Sequence, residues 1–173
     1  MRGEEFAELY RQYLPRVLNY VRLRVGDESL AQDLTAGTFE RAFAKRGQLR
    51  NQDAFGGWLF RIARNELAQH FRRHGGSRGQ VDLAAALSVP DGDPQPDEET
   101  AIRQELAELV EAVATLSERE QEIIRLRFVA GLTNRAIAKV LGLGESNVAV
   151  IQFRAIRRLR DRLRDRPGAK DVE

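Results

Sequence analysis

The chain has 173 residues, of which 42% are hydrophobic and 31% charged, and its net charge is only +2, a composition that suits one ordinary globular domain or two small ones. No stretch approaches the ~20 consecutive apolar residues of a membrane helix, and the N-terminus lacks the apolar core of a signal peptide, so we expect no membrane insertion and a cytoplasmic location. Without cysteines there is no disulfide, thiolate zinc site or thiol nucleophile, and two histidines leave little for metal or acid–base chemistry, so we expect no metal and no cofactor.

The first predicted element is a long amphipathic helix. Apolar residues recur in steps of three and four from Phe6 to Val25, which keeps one helical face apolar for about five turns. Pro15 lies inside this pattern and is expected to kink or interrupt the helix, because proline removes one backbone hydrogen bond and crowds the preceding turn.

A second and a third helix are predicted to complete a first lobe, residues 1–74. Ser29 and Gln32 have the spacing of a capping box, so the second helix is expected to begin there and to end near Gly47. The third is predicted over residues 54–73, with Asp53 as its N-cap.

Residues 75–97 have the composition of a flexible acidic linker. They hold three of the five prolines and four of the 14 glycines, with four aspartates and one arginine. Helices on both sides of such a linker predict two separately folded lobes in place of one core. The expected fold class is therefore all-α, with two small helical domains, and residues 167–173 are expected to be a frayed tail.

The second lobe is predicted over residues 98–166. A helix is expected from about Asp97 to Thr115, followed by a helix that a capping box of Ser117 and Glu120 begins and Gly131 ends. No alternation typical of strands is found in the sequence.

Residues 133–154 have the spacing of a helix-turn-helix. Ala138 is the small residue where two helices cross closely, and Gly142, four residues later, can adopt the positive φ of a tight turn. Such a unit places its second helix in a DNA major groove, although an ordinary helical hairpin uses the same residue types. The candidate duplex-binding residues are Thr133, Asn134, Arg135, Glu145, Ser146, Asn147, Ala149, Val150, Gln152, Phe153, Arg154, Arg157 and Arg158.

Charge supports a polyanionic partner for this part of the chain. Residues 98–122 carry two basic and eight acidic groups, whereas residues 123–166 carry eleven basic and three acidic groups. A solvated, arginine-rich helix face is the alternative explanation.

The first lobe combines aromatic and basic residues, since ten of the twelve aromatic residues lie in residues 1–74. Unstacked bases require flat side chains to stack on and cations near their phosphates. The alternative, that the aromatic side chains form the core, is preferred for Phe39, Phe43 and Phe60 and stays open for Trp58 and for the loop from Arg50 to Phe55. The candidate single-strand-binding residues are Arg50, Asn51, Phe55, Trp58, Arg61, Arg64, Asn65, Arg72 and Arg73.

Three segments in order give the chain a resemblance to the extracytoplasmic-function (ECF) group of bacterial RNA polymerase sigma factors. They are Asp33-Leu34 through Thr38-Phe39-Glu40-Arg41-Ala42-Phe43, then Trp58-Leu59-Phe60-Arg61-Ile62-Ala63-Arg64-Asn65, and then the capping box with its helix-turn-helix. The similarity extends from about residue 5 to residue 165.

The resemblance implies a transcription initiation factor that binds core RNA polymerase and promoter DNA. Asp33, Leu34, Thr38 and Arg41 would contact polymerase, and the aromatic and basic residues of the first lobe would open the −10 element. The helix-turn-helix would bind the −35 element as duplex, and the linker would enter the polymerase cleft. Relatives of this group are usually held inactive by an anti-sigma factor.

The chain departs from the usual pattern of the group at two places. Ala36 and Gly37 stand where Gln-Glu is usual, and glycine inside a helix costs about 1 kcal/mol relative to alanine. Ala149 and Ile151 stand where basic residues are common, so the promoter sequence does not carry over. Ala149 and Val150 are candidates for contact with thymine methyl groups.

Three other functions are weighed against this interpretation. A self-contained transcriptional regulator would bind duplex DNA tightly without polymerase. An enzyme acting on nucleic acid has little support, because His70 and His74 lack the neighbouring carboxylate of a metal-site pattern. An interaction adaptor would leave the arginines of the last predicted helix without a role.

Overall fold

The computed structural model describes residues 1–49, 51–74 and 96–164, and side chains from residue 104 onward in the last of these ranges. Seven α-helices make up this part of the chain, and it contains no β-strand. They are α1 (Gly3–Val25), α2 (Glu28–Lys45), α3 (Phe55–Arg73), α4 (Pro96–Ala114), α5 (Glu118–Ile124), α6 (Asn134–Leu141) and α7 (Glu145–Arg164). Arg50, the predicted linker before Pro96 and the predicted tail lie outside the described residues.

Helix α1 continues through Pro15, so of the two predicted outcomes, a kink or an interruption, the interruption is wrong. Phe6 lies before the proline, and Val17, Tyr20 and Val21 lie after it, and all four side chains are buried. Burial of apolar side chains on both sides of Pro15 offsets the roughly 3 kcal/mol that an internal proline costs a helix. Gly26 ends α1 in the left-handed conformation, with φ 68°.

The N-caps of α2 and α3 differ from the predicted ones. Asp27, not Ser29, caps α2, and its carboxylate accepts a 2.6 Å hydrogen bond from the backbone N–H of Leu30. A carboxylate is favoured there by the positive end of the helix dipole. Before α3, the Asn51 side chain accepts from the Asp53 N–H in a short 3-10 turn, Gln52–Ala54, so Asp53 is not the cap.

Edge-to-face aromatic contacts hold the first lobe together. The rings of Phe6 and Phe55 are 6.1 Å apart, and those of Tyr20 and Phe60 are 5.3 Å apart. Phe39 and Phe60 are buried as predicted, but Phe43 is 45% exposed, although its ring packs edge-to-face with that of Phe6, so its assignment to the core is wrong.

The second lobe contains α4 to α7, and its local signals are those expected from the sequence. The Ser117 N–H donates to a carboxylate oxygen of Glu120, and the Ser117 hydroxyl accepts from the Glu120 N–H, so the predicted capping box is confirmed. Helix α5 continues into a π-helical turn over Arg125–Val129, and Gly131 with φ 68° ends this segment.

The two lobes share one hydrophobic core. The cluster of buried apolar side chains includes Val21 and Phe55 of the first lobe together with Leu126, Leu132 and Ile137 of the second. Two helical domains are present as predicted, and their apolar faces pack together in this structure. Composition separated the helices into two groups along the chain but contained no information about whether these faces meet.

Within the described residues, no helix is both long and apolar enough to cross a bilayer. Nor does that part of the chain bring together three or more His, Cys, Asp or Glu side chains in a way that could hold a metal ion. His70 and His74 stack on each other, with ring centroids 4.4 Å apart.

Candidate nucleic-acid interface

Helices α6 and α7 form the predicted helix-turn-helix. The Thr133 hydroxyl accepts a 3.2 Å hydrogen bond from the Ala136 N–H and thereby caps α6. Gly142 has φ 67°, and the N–H of Leu143 returns to the carbonyl of Ala138 at 2.9 Å. The glycine predicted for the turn is therefore where a positive φ is needed, and α7 begins three residues later.

Helix α7 buries one side and exposes the other. Val148 and Ala155 are fully buried against the rest of the lobe. Two large apolar side chains lie on the opposite side, where Val150 is 46% and Phe153 is 68% exposed. This is the helix that the sequence pattern assigns to the major groove, and its accessible face carries apolar groups in addition to arginines.

Most of the predicted duplex-binding residues are accessible, but two are not fully so. Asn134 and Gln152 are half-buried, and their side-chain oxygens have no hydrogen-bond partner within the described residues. Gln152 lies one turn after the buried Val148 on the helix, which accounts for its partial burial, and its contact with DNA stays a prediction. The exposed members are Thr133, Arg135, Glu145, Ser146, Asn147, Ala149, Val150, Phe153, Arg154, Arg157 and Arg158.

Two neighbouring arginines of α7 have different surroundings. Arg158 Nη1 contacts both carboxylate oxygens of Glu120, at 2.8 and 3.1 Å, and so joins α7 to α5. Burial of Glu120 favours its neutral form, but hydrogen bonds from Ser117 and the charge of Arg158 outweigh this, and the pKa of Glu120 lies below its ordinary value. Arg157 instead lies 3.9 Å from Asp161, and both side chains are well exposed.

The predicted single-strand-binding residues divide between surface and core. Phe55 is fully buried, so its predicted role in base stacking is wrong for this structure. Its ring lies 5.2 Å from that of Tyr13 and 5.8 Å from that of Trp58, which is half-buried. The exposed members are Asn51, Arg61, Arg64, Asn65, Arg72 and Arg73.

The second lobe covers part of this face of α3. Arg61 Nη2 donates a 3.1 Å hydrogen bond to the backbone carbonyl of Lys139 at the end of α6. The backbone of α3 comes close at its glycines, where a Cβ added to Gly57 would lie 3.5 Å from the Cβ of Ala136. The arginines that the sequence assigns to single-stranded DNA therefore lie beside the helix-turn-helix in this conformation.

A buried carboxylate, Glu122 of α5, joins the lobes. It accepts a 2.5 Å hydrogen bond from the Tyr20 hydroxyl and forms an ion pair with Arg24, both on α1. It lies 3.3 Å from Arg125 and 3.7 Å from Arg64 of α3. Three guanidinium groups thus surround one carboxylate.

The environment of Glu122 shifts the proton affinity of its neighbours. Burial, with the Glu122 charge adding to it, raises the pKa of Tyr20 well above its ordinary value. Burial also lowers the pKa of Arg125, and the charge of Arg24 adds to that effect. Glu122 was not among the residues predicted to be functional, because neither its spacing nor its neighbours in sequence distinguish it from the other acidic residues of this segment.

The predicted polymerase-binding residues of α2 are not equally accessible. Asp33 is exposed and Leu34 half-buried, whereas Thr38 is fully buried and donates a 2.7 Å hydrogen bond to the carbonyl of Leu34. Arg41 forms an ion pair with Glu66 of α3. Direct contact between Thr38 and a partner is therefore excluded in this conformation, and the residue supports α2 from inside.

The fold and the site define an all-helical protein of two lobes, the second of which contains a helix-turn-helix with an exposed recognition helix. Sigma-70 region 2 matches residues 9–76, and Sigma-70 region 4 matches residues 112–161. The chain therefore belongs to the sigma-70 family, in the ECF group of RNA polymerase sigma factors, and the resemblance inferred from the sequence is confirmed.

Individual relatives agree with this assignment. The chain is 35% identical over 160 residues to the ECF RNA polymerase sigma factor BldN of Streptomyces coelicolor, covering 91% of this chain and 60% of that one. It is 30% identical over 122 residues to the sigma factor CnrH of Cupriavidus metallidurans, covering 67% and 64%. The chain thus spans less than two thirds of either relative.

A solved structure shows the shared fold. The sigma factor RpoE of Bartonella quintana, crystallised with the anti-sigma factor NepR, matches 94% of this chain and 99% of its own, with a TM-score of 0.65 and 23% identity.

Proposed function

We propose that this chain binds core RNA polymerase, recognises the −35 and −10 elements of promoters and promotes DNA melting at the start of transcription. The observation that carries the proposal is that both sigma-70 regions occur in one chain and in order, with an exposed recognition helix in the second. The role is non-enzymatic, and its place is the cytoplasm, where polymerase and promoter meet.

The second lobe binds the −35 element as duplex. The exposed side of α7 offers side chains to base edges near its N-terminus, such as Ser146 and Asn147, and cations further along, such as Arg154 and Arg157. Base contacts give sequence preference, and arginine contacts with phosphates give most of the affinity and its salt dependence.

The first lobe binds the −10 element and the polymerase. Arg61, Arg64 and Asn65 on α3 are the exposed groups best placed to hold the phosphates and bases of a separated strand. Trp58, half-buried beside Phe55, is the candidate for stacking. On α2 the exposed Asp33 and Arg41 are the candidates for polymerase contact.

The lobes must separate before both promoter elements are bound. Arg61 and Arg64 contact the second lobe in this conformation, through Lys139 and Glu122, and these contacts occupy groups that the proposal assigns to DNA. We therefore assign to core polymerase the additional role of holding the two lobes apart.

An anti-sigma factor is proposed as a further partner. A groove of about 1010 Å³ runs between the lobes, with Leu23 and Arg64 from the first and Leu109, Phe128 and Leu159 from the second among its lining residues. Leu109 and Phe128 are 39% and 62% exposed. An apolar surface of this kind that is built from both lobes suits a partner that holds them together.

The decisive experiment is runoff transcription with purified core polymerase on a library of genomic fragments. The expected result is polymerase-dependent initiation at discrete sites that share two sequence elements. The same runoff transcription is measured for two variants, Arg64→Ala and Arg72→Ala. Arg64 contacts the second lobe, whereas Arg72 lies at the end of α3. Initiation that is unchanged by adding the protein would refute the proposal, and tight sequence-specific binding to duplex without polymerase would favour a self-contained regulator.

A further inference from the structure

We propose that Val150 and Phe153 of α7 read thymine methyl groups in the −35 element and make this chain select a thymine-containing site. This inference rests on the proposed function, because it takes α7 to be the helix that enters the major groove. It adds the chemical feature of the DNA that the helix recognises.

The two side chains lie in the centre of the accessible face of α7. Ser146, Val150, Phe153 and Arg157 follow one another in steps of four, three and four residues, which places them in one stripe along a helix. All four are exposed, and the stripe lies opposite the buried Val148. A helix that docks by its exposed face therefore meets its ligand first through these side chains.

Apolar groups at this position need an apolar counterpart. Val150 is 46% and Phe153 is 68% exposed, although both lie on a helix whose remaining accessible side chains are mostly polar or basic. Neither residue is a hydrogen-bond donor or acceptor through its side chain. Within the major groove of unmodified DNA, the C5-methyl of thymine is the apolar group that a base pair presents.

Charge on the same helix identifies the ligand as DNA. Arg154 and Arg157 follow the apolar pair and are exposed, so cations flank the apolar surface on the side where a duplex has its phosphates. A purely apolar protein groove would have to desolvate these guanidinium groups without pairing them, which is costly. Duplex DNA satisfies both the apolar pair and the arginines.

The test uses the full chain with core polymerase. Runoff transcription first selects the −35 element from a randomised promoter library. Each thymine of that element is then replaced by deoxyuridine, which removes only the methyl group and keeps every hydrogen-bonding edge. Initiation is compared between the two promoters for the unmodified protein, for Val150→Ser and Phe153→Ser, and for Phe43→Ser. Phe43 is the matched control, because it is an exposed phenylalanine outside α7 that belongs to none of the proposed binding surfaces.

The expected result is a loss of initiation of about four-fold for each contacted methyl that is removed. Val150→Ser or Phe153→Ser should abolish this difference between thymine and uracil, whereas Phe43→Ser should preserve it. If the selected element lacks thymine, or if initiation from the thymine and deoxyuridine promoters is equal at every thymine, the inference is overturned while the sigma function stays intact. The inference is also overturned if both α7 substitutions leave the ratio of initiation from the two promoters unchanged. Absence of polymerase-dependent initiation overturns the proposed function itself. Circular dichroism of each variant verifies that the helices remain folded.

Discussion

The hydroxyl of Tyr20 on α1 donates a 2.5 Å hydrogen bond to Glu122 on α5, 102 residues later in the chain. Both side chains are buried, and Arg24, Arg64 and Arg125 surround the same carboxylate. Separating a buried carboxylate from this many donors costs free energy, because both the carboxylate and the guanidinium groups around it would be left without partners. The packing of the two lobes against each other therefore depends on one acidic side chain, Glu122.

Glu122→Gln should open the lobes. The substitution keeps the size of the side chain but removes the charge that pairs with the largely buried Arg24, and breaking such a pair typically costs about 3 kcal/mol. The chain has no cysteine, so Glu40→Cys and Arg162→Cys, two exposed positions on different lobes, allow specific labelling for energy transfer. We expect lower transfer efficiency in the variant than in the parent.

Glu111→Gln is the control for this experiment. Glu111 is an exposed acidic residue that lines the same groove between the lobes. Its replacement removes the same charge without touching the buried cluster, so transfer efficiency should stay at the parent value. Equal efficiencies for Glu122→Gln and Glu111→Gln would show that Glu122 does not hold the lobes together.

Alkaline pH should weaken the same contact. Because the pKa of Tyr20 is raised in the folded protein above the ordinary value of 10.0, folding favours the neutral phenol. The stability that this provides is complete below pH 10 and is lost as the pH rises above it, at up to about 1.4 kcal/mol per pH unit. Urea denaturation between pH 8 and 11 measures this slope. Tyr20→Phe should lower stability at pH 8 and flatten the decline, whereas Tyr10→Phe, at a partly exposed position, should leave the decline unchanged.

Two substitutions at Gly57 should separate helix stability from lobe closure. A Cβ at this position lies at ordinary contact distance from Ala136, so Gly57→Ala fits the closed form and should stabilise α3 by about 0.5–1 kcal/mol. Gly57→Leu has the same backbone preference but no room for its larger side chain against α6. We expect a higher melting temperature for the alanine variant and a loss of energy transfer between the lobes for the leucine variant. A closed Gly57→Leu protein would contradict this view of the interface.

The helix-turn-helix could be predicted from the sequence because its determinants are local. The Thr133 cap and the turn at Gly142 act within a few residues, and Val148 follows from the helical period. The same holds for the capping box of Ser117. A composition shift was likewise sufficient to divide the helices into two groups.

The contacts between helices that are distant in sequence could not be predicted in this way. Phe55 has the residue type and the arginine neighbours of a stacking platform, yet Phe6 and Tyr13 of α1 enclose it. Arg61 and Arg64 lie on the face expected from the helical period, but which surface meets that face depends on α5 and α6. Such contacts join segments that lie far apart in sequence, and helical periodicity carries no information about which of them meet.

Arg157 and Arg158 should give opposite results when each is replaced by alanine. Arg158 is joined to Glu120, which has a lowered pKa, so this pair contributes stability at pH values above about 4.5 and loses it as the pH falls through the lower pKa of the folded state. Arg158 is 64% exposed, and solvent screening limits its contribution to about 0.5 kcal/mol. Arg158→Ala should therefore lower the melting temperature slightly at pH 7.

Arg157→Ala should leave the melting temperature unchanged, because its carboxylate neighbour Asp161 is 3.9 Å away and exposed. It should instead weaken promoter binding by the holoenzyme and reduce the salt dependence of that binding by about one counterion, as expected for the loss of one phosphate contact. Thermal unfolding and promoter binding measured at several salt concentrations distinguish the two roles. If Arg157→Ala lowered stability and kept the parent salt dependence, the stripe from Ser146 to Arg157 would not be the surface that meets DNA.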